Sequence, residues 1–136
     1  MRGFGYVPRS VDGLAFGSGS FGQIDTWLLD RVELVKRPSS VLYGQANLGG
    51  LINMTTKKAI GDRIREVKST IGSHGRAGLA FDFGDRLSDT LDWRVAATGW
   101  RVDTQEEGLE QEHYSIAPSL RWTPTDASTL TVTTLV

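Results

Sequence analysis

Residues 31–53 read RVELVKRPSSVLYGQANLGGLIN. Charged and apolar side chains alternate over the first four of them, and this pattern predicts a β-strand over residues 31–36. Pro38 has no amide N–H and pushes the preceding residue towards an extended backbone, so the strand ends there. Either of the two following serines can cap a single helical turn over residues 41–43, and a second short strand follows over residues 51–56. The stretch therefore predicts a small mixed α+β unit.

The periodicity of the sequence changes near residue 60, where we place a domain boundary. Residues 1–60 hold short apolar runs between Gly and Ser clusters, whereas residues 61–136 predict about four or five longer antiparallel strands. Each later strand alternates, so that one of its faces is apolar. The apolar faces carry Leu79, Phe81 and Phe83; Leu91, Trp93, Val95 and Ala97; Tyr114, Ile116, Pro118, Leu120 and Trp122; and Leu130 and Val132. The opposite faces carry small or polar residues, among them Asp82, Arg94 and Ser119.

Long and short connections alternate between these strands. The connection over residues 103–113 is long and acidic, and the one over residues 123–128 is short. Tyr114 and Trp122 stand at the two ends of one apolar face. Strands of roughly ten residues with one apolar face, aromatic ends and alternating loop lengths are typical of a transmembrane β-barrel. A half-buried antiparallel sheet in a soluble sandwich has the same period, so periodicity alone leaves both interpretations open.

Composition argues against several other classes of protein. The 136 residues include 15 Lys and Arg and 16 Asp and Glu, so no basic surplus exists for the phosphate backbone of a nucleic acid. Without cysteine, the chain has neither a disulfide scaffold nor a thiolate metal site. No apolar run reaches the roughly 18 residues of a spanning helix. The N-terminus does not read as a secretory signal, and we expect that a signal was removed or that the sequence starts downstream of one.

The stretch over residues 31–53 resembles the plug signature of TonB-dependent outer-membrane receptors of the siderophore-uptake type. Three further pieces stand in the matching order, namely Arg2-Gly3-Phe4, Asp12-Gly13 and Lys57-Lys58. The resemblance implies the C-terminal part of a plug over residues 1–60. It implies the first antiparallel strands of an incomplete transmembrane β-barrel over residues 61–136. In this family the plug sits inside a barrel of roughly 22 strands.

The family resemblance implies transport without covalent chemistry, and therefore no enzyme and no bound cofactor. A ferric siderophore would enter through the outer membrane of a Gram-negative bacterium, and the TonB-ExbB-ExbD complex would supply the energy. Outer-membrane lipid is a further partner, and nucleic acid is not. The segment that contacts TonB has no match here, and we expect a fragment that cannot insert alone, because a few strands leave an open edge. Cobalamin, haem or an oligosaccharide is the alternative ligand, and a soluble β-rich binding module is the alternative class.

The resemblance also implies which residues contact the ligand and the barrel. In siderophore receptors the plug apex helps to bind the chelate, because Arg offers a fork of donors and aromatic rings offer flat contact area. The residues on the matching segments are Arg2, Phe4, Tyr6, Phe16 and Phe21. The same aromatic residues can instead form plug core. The charges at positions matching those that face the barrel wall are Arg31, Glu33 and Lys36.

Two positions depart from the family pattern. Arg37 stands where Gly is usual, and Leu48 stands where Pro is frequent. If the first position requires a left-handed backbone, Arg37 strains it by on the order of 1 kcal/mol.

No metal or catalytic site is predicted. His74 and His113 are isolated, without a second ligand at a recognised spacing. The acidic run of Glu106, Glu107, Glu110 and Glu112 is typical of a solvated loop. No nucleophile, base and orienting group converge in the sequence, which disfavours an enzyme.

Overall fold

The computed structural model describes residues 9–16, 24–35, 51–73, 75–103 and 110–136. These residues fall into two compact units. The first unit lies within Met1–Ile24 and Leu29–Thr56, and the second lies within Asp25–Leu28 and Lys57–Val136.

The first unit is a four-stranded sheet. Its strands are β1 (Arg9–Val11), β2 (Leu14–Phe16), β3 (Leu29–Val35) and β4 (Leu51–Thr56), in the order β2-β1-β4-β3. The strand pair β1 and β4 is parallel, and the other two pairs are antiparallel. The sheet therefore joins strands that are far apart in the sequence.

A two-residue turn over Asp12-Gly13 joins β1 to β2. Both residues have positive φ angles, 51° and 82°, which is the backbone of a type I′ hairpin turn. The Asp12 carboxylate accepts the backbone N–H and the hydroxyl of Thr56 at the end of β4. This side chain therefore fixes the turn against the neighbouring strand.

The helical content is smaller than the sequence predicts. A 3₁₀-helix spans Thr26–Leu28 and leads directly into β3. No α-helix occurs among the residues that the structure describes, so the predicted α component is not seen there. The predicted turn over residues 41–43 lies outside the described residues. No helix in the described ranges is long and apolar enough to cross a membrane.

The second unit is a five-stranded antiparallel sheet. Its strands follow the order of the sequence, and the sheet is open rather than closed into a barrel. They are β5 (Ile64–Ile71), β6 (Ala77–Ser88), β7 (Leu91–Asp103), β8 (Glu110–Thr125) and β9 (Ser128–Thr133). The mostly β architecture agrees with the predicted plug and barrel strands.

The strand register sorts the side chains of the second sheet onto two faces. Asp82 lies opposite Ala96, which lies opposite Ala117. We call the face that carries these three residues the polar face. Phe81, Ala97 and Ile116 are each one residue away from these along their strands, and they also lie opposite one another. We call the face that carries them the apolar face. The predicted alternation of these strands is therefore present in the structure.

Candidate functional site

The burial of the two faces is the reverse of that in a water-soluble sheet. On the polar face Asp82, Ala96 and Ala117 are 1%, 0% and 1% exposed. On the apolar face Leu79 and Tyr114 are 57% and 72% exposed. Large apolar side chains in a row are costly to leave in water, whereas hydrocarbon is a favourable solvent for them. The apolar face therefore suits contact with lipid.

An ion network lies at the centre of the polar face. Arg94 on β7 donates two hydrogen bonds to the Asp82 carboxylate, from Nε to Oδ1 at 3.0 Å and from Nη2 to Oδ2 at 2.9 Å. The ammonium group of Lys57 lies 2.8 Å from the same Oδ2. We call these three residues the Asp82 cluster. One buried carboxylate thus holds two cations from distant parts of the chain, which compensates the cost of its desolvation.

The 3₁₀-helix packs directly beside the Asp82 cluster. The Lys57 ammonium lies 4.2 Å from the centre of the Trp27 ring, a cation–π contact. The Trp27 indole N–H donates to the carbonyl oxygen of Phe81 at 3.1 Å. Leu28, which is 2% exposed, packs against Ala96 and Ala117. The small side chains of Ala96 on β7 and Ala117 on β8 therefore leave room for the 3₁₀-helix to pack against the sheet.

Hydrogen bonds also hold the chain that follows Lys57 against the polar face. The Lys57 N–H donates to the carbonyl of Leu28 at 3.0 Å. The Arg94 guanidinium donates to the carbonyl of Lys58 at 3.2 Å, and the N–H of Ala59 donates to the Ser119 hydroxyl at 3.1 Å. Arg94 therefore pairs with the carboxylate and satisfies a backbone carbonyl of the crossing segment.

A second ion cluster lies on the polar face, centred on Asp92. The Arg121 guanidinium donates to the Asp92 carboxylate from Nε at 2.8 Å and also from Nη2. Arg86 lies 3.5 Å from the other carboxylate oxygen. Gly61, at φ 82°, comes so close that a Cβ there would lie 2.9 Å from Asp92 Oδ1. This glycine lets the backbone pass over the cluster.

Two of the charges predicted to face the barrel wall lie on β3 in the first unit. Arg31 Nε lies 3.5 Å from Glu33 Oε1, with both side chains largely exposed. Glu33 also accepts a hydrogen bond from Asn53 on β4, whose amide oxygen accepts from the Ser10 hydroxyl on β1. A polar chain therefore runs across three strands of the first sheet. Lys36 lies outside the described residues.

The predicted ligand residues are largely beyond the described part of the chain. Phe16 ends β2 opposite Arg9. The side chain of Phe16 is outside the described residues, and so are Arg2, Phe4, Tyr6 and Phe21. Their predicted roles therefore stay predictions. The departures at Arg37 and Leu48 also fall outside the described residues.

His113 lies on the polar face beside Trp100 and Ser115. Its ring lies 5.4 Å from the Trp100 ring, its Nε2 is 3.0 Å from the Ser115 hydroxyl, and Asp25 is 3.9 Å away. No group of three or more potential metal ligands occurs among the described residues. His74, Glu106 and Glu107 lie outside them.

Sequence reasoning missed the Asp82 cluster as a site. The sequence pattern places Asp82 and Arg94 on the polar faces of their strands, as observed, and it singles out Lys57 only within the Lys57-Lys58 piece of the family pattern. The signal that could have found the cluster is a pair of opposite charges at inward positions on two consecutive strands. Asp82 pairs with Ala96, and Arg94 lies two residues before Ala96 on the same strand. That spacing brings the two side chains within reach across the strand pair.

Comparisons with known proteins support the same family as the sequence motifs. Residues 1–51 match the TonB-dependent Receptor Plug Domain. The ferrichrome outer membrane transporter/phage receptor of Escherichia coli (strain K12) is 34% identical over 139 residues, which cover 96% of this chain and 19% of that protein. The ferrioxamine receptor of Yersinia enterocolitica is 35% identical over 137 residues, with coverage of 96% and 19%. The chain thus spans about a fifth of the length of these relatives.

Solved structures agree in fold. The open form of the ferric-catecholate import receptor Fiu from Escherichia coli K12 superposes with a TM-score of 0.79 at 27% identity, over 93% of this chain and 19% of that one. The pyoverdine outer membrane receptor FpvA from Pseudomonas aeruginosa PAO1 superposes with a TM-score of 0.84 over 97% of this chain and 20% of that one. The second likeness, at 23% identity, bears on the fold alone. The resemblance inferred from residues 31–53 is therefore confirmed, and the chain belongs to the TonB-dependent receptor family.

Proposed function

We propose that this protein takes up a ferric siderophore across the outer membrane by energised transport. The relatives named above are receptors for ferrichrome and ferrioxamine, both siderophores, and they match nearly the whole chain. Ferric siderophore is therefore the transported ligand, not a resident cofactor. The protein performs no covalent chemistry on it.

The observation that carries the proposal is the inverted burial of the second sheet. An exposed apolar face with a buried, charge-paired polar face suits a strand set with lipid on one side and protein on the other. In a soluble β-rich module the apolar face would be the buried one. Val67 on β5 and Ile116 and Leu120 on β8, which are 64%, 40% and 50% exposed, belong to the same apolar face. The soluble alternative therefore fits the structure poorly.

The two separate sheets support a division of the chain into a plug part and a barrel part. Residues 1–60 form the C-terminal part of a plug, and residues 61–136 form the first strands of the transmembrane barrel. The location is the outer membrane of a Gram-negative bacterium, with lipid against the apolar face. TonB, working with ExbB and ExbD, supplies the energy by acting on the plug.

The ligand and wall contacts are proposed from the matching family positions. The ligand meets the plug at the predicted residues Arg2, Phe4, Tyr6, Phe16 and Phe21. The charges that meet the barrel wall are Arg31, Glu33 and Lys36. The mutual pairing of Arg31 and Glu33 keeps both groups solvated and exchangeable, because exposed ion pairs contribute little to stability.

The Asp82 cluster has a structural part in this function. It ties the segment over residues 57–59 and the 3₁₀-helix to strands β6 and β7. A plug that is pulled during transport needs a connection to the wall that withstands the load. Buried ion pairs that lose one partner are strongly destabilised, so the cluster resists partial opening.

Uptake of radioactive iron tests the proposal. The protein is expressed from its complete reading frame in a strain that lacks its own ferrichrome and ferrioxamine receptors, with and without TonB. The proposal expects iron accumulation from at least one ferric siderophore, and only in the strain with TonB. Equal accumulation in both strains, or uptake of cobalamin or haem but of no ferric siderophore, would refute it.

A further inference from the structure

The polar face of the second sheet carries a pocket beside the connection between β5 and β6. Its volume is about 390 Å³, and the residues that line it belong to the second unit. Two tryptophans, two cationic residues and three threonines line it. They are Trp27, Trp100, Lys68, Arg76, Thr26, Thr70 and Thr98. This set of groups is distinct from the predicted ligand residues of the plug.

The positive charge of this pocket has no carboxylate partner in the described part of the chain. Elsewhere on the polar face, cations are paired with Asp82 or Asp92. Lys68 and Arg76 instead lie near aromatic rings, at 5.7 Å from the centre of Trp27 and 5.9 Å from the centre of Trp100.

The acidic group that lines the pocket is already engaged. The carboxylate of Asp25 accepts the backbone N–H of Trp27 at 2.9 Å and lies 3.9 Å from His113 Nε2. It therefore serves to cap the 3₁₀-helix. The two cations keep their capacity to bind an anion from outside.

These groups suit one chemical class of ligand. A planar aromatic anion can stack on an indole ring while its oxygens accept hydrogen bonds from an ammonium or a guanidinium group. Threonine hydroxyls add donors of adjustable direction. We propose that the pocket binds a planar aromatic anion such as a catecholate or aryl-carboxylate arm. Its identification as part of an iron chelate rests on the proposed function.

The competing occupant is a carboxylate of the same chain. β7 ends at Asp103 and β8 begins at Glu110, and this end of the strand pair is the end at which β6 begins, because Ala77 pairs with Arg101. The intervening connection contains Glu106 and Glu107. The test must therefore separate an external anion from these side chains.

Binding of 2,3-dihydroxybenzoate, free and as its ferric complex, is the test. The protein is expressed from its complete reading frame, purified in detergent and examined by equilibrium dialysis with radioactive ligand. Lys68→Gln and Arg76→Gln should each weaken binding roughly tenfold, because each removes a charge-assisted hydrogen bond. Arg63→Gln is the matched control, since Arg63 is an exposed cation beyond the opposite end of β5 that faces Asp85. It should leave binding unchanged.

Three outcomes overturn the proposal. The first is that the parent protein does not bind dihydroxybenzoate, and the second is that the Lys68 and Arg76 variants bind as tightly as the parent. The third is that Glu106→Gln with Glu107→Gln tightens binding more than about threefold, which would make the chain's own carboxylates the occupants. Dihydroxybenzoate binding that depends on Lys68 and Arg76 in a protein without siderophore uptake would refute the proposed function and leave the pocket standing. Siderophore uptake by a protein that does not bind dihydroxybenzoate in this way would refute the pocket proposal and leave the proposed function standing.

Discussion

Removing the Asp82 carboxylate should lower the free energy of unfolding by more than removing Lys57, one of the two cations that pair with it. Asp82→Ala leaves two cations, Lys57 and Arg94, with side chains only 13% and 10% exposed and no carboxylate to balance them. Breaking a buried ion pair on one side typically costs about 3–5 kcal/mol. We therefore expect Asp82→Ala to lower the free energy of unfolding by an amount in that range.

Lys57→Met is the milder change at the same cluster. Asp82 keeps both hydrogen bonds from Arg94, so its charge stays balanced. The loss is one charge-assisted contact, worth about 1.5–3 kcal/mol, and part of that is recovered because Met packs on the Trp27 ring. The triple variant Lys57→Met, Asp82→Leu and Arg94→Met should recover most of the loss seen in Asp82→Ala, because apolar replacement of a whole buried ion cluster is often close to neutral.

Urea titration of the protein in lipid vesicles, with folding followed by gel mobility, measures these differences. The expected order of destabilisation is Asp82→Ala first, then Lys57→Met, with the triple variant near the parent. The reasoning is wrong if Asp82→Ala costs less than about 1 kcal/mol, well under the usual penalty for an uncompensated buried charge. It is equally wrong if the triple variant is as unstable as Asp82→Ala.

Two further substitutions test the apolar face and the Asp92 cluster. Ile116→Arg places a charge in lipid near the middle of β8 and should cost about 2–4 kcal/mol of folding free energy in vesicles. Ser115→Arg, one residue away on the other face, should cost clearly less, and equal costs would contradict the assignment of faces. Gly61→Ala should destabilise the protein by about 1–3 kcal/mol, because it strains a positive φ and crowds the Asp92 carboxylate. Gly72→Ala is its control, since a Cβ there would be no closer than 3.4 Å to a neighbour, and similar losses for both would refute that account.

The strand pattern could be predicted because alternation is a local property of the sequence. Leu51–Thr56 forms a strand with the predicted bounds. The strand predicted from residue 31 is present as β3, which begins two residues earlier, at Leu29. The apolar face from Tyr114 to Trp122 follows from the period of two alone. None of these assignments needs knowledge of the partner strand.

The pairing of distant segments could not be predicted in this way. β1 runs parallel to β4 and joins Ser10 to Asn53, which are 43 residues apart. Periodicity also does not show that the 3₁₀-helix packs on the second sheet, where Leu28 meets Ala96 and Ala117. Such contacts depend on which surfaces meet in three dimensions.

The candidate site was harder still, because its charges look ordinary in the sequence. Lys57, Asp82 and Arg94 are common residue types at unremarked spacings. Only the register of β6 and β7, together with the path of the chain after Thr56, brings Lys57 and Arg94 within 3 Å of the Asp82 carboxylate. The plug motif identified the family but gave no sign of this cluster.

The central structural claim is that one face of the second sheet meets lipid and the other does not. The chain has no cysteine, so a single introduced cysteine carries the only spin label within these residues. Labels at Ile116→Cys and Leu120→Cys should collide with oxygen dissolved in the lipid more often than labels at Ser115→Cys and Ser119→Cys. Equal oxygen collision rates at all four sites, or frequent collision of a water-soluble nickel reagent at Ile116→Cys and Leu120→Cys, would contradict the claim.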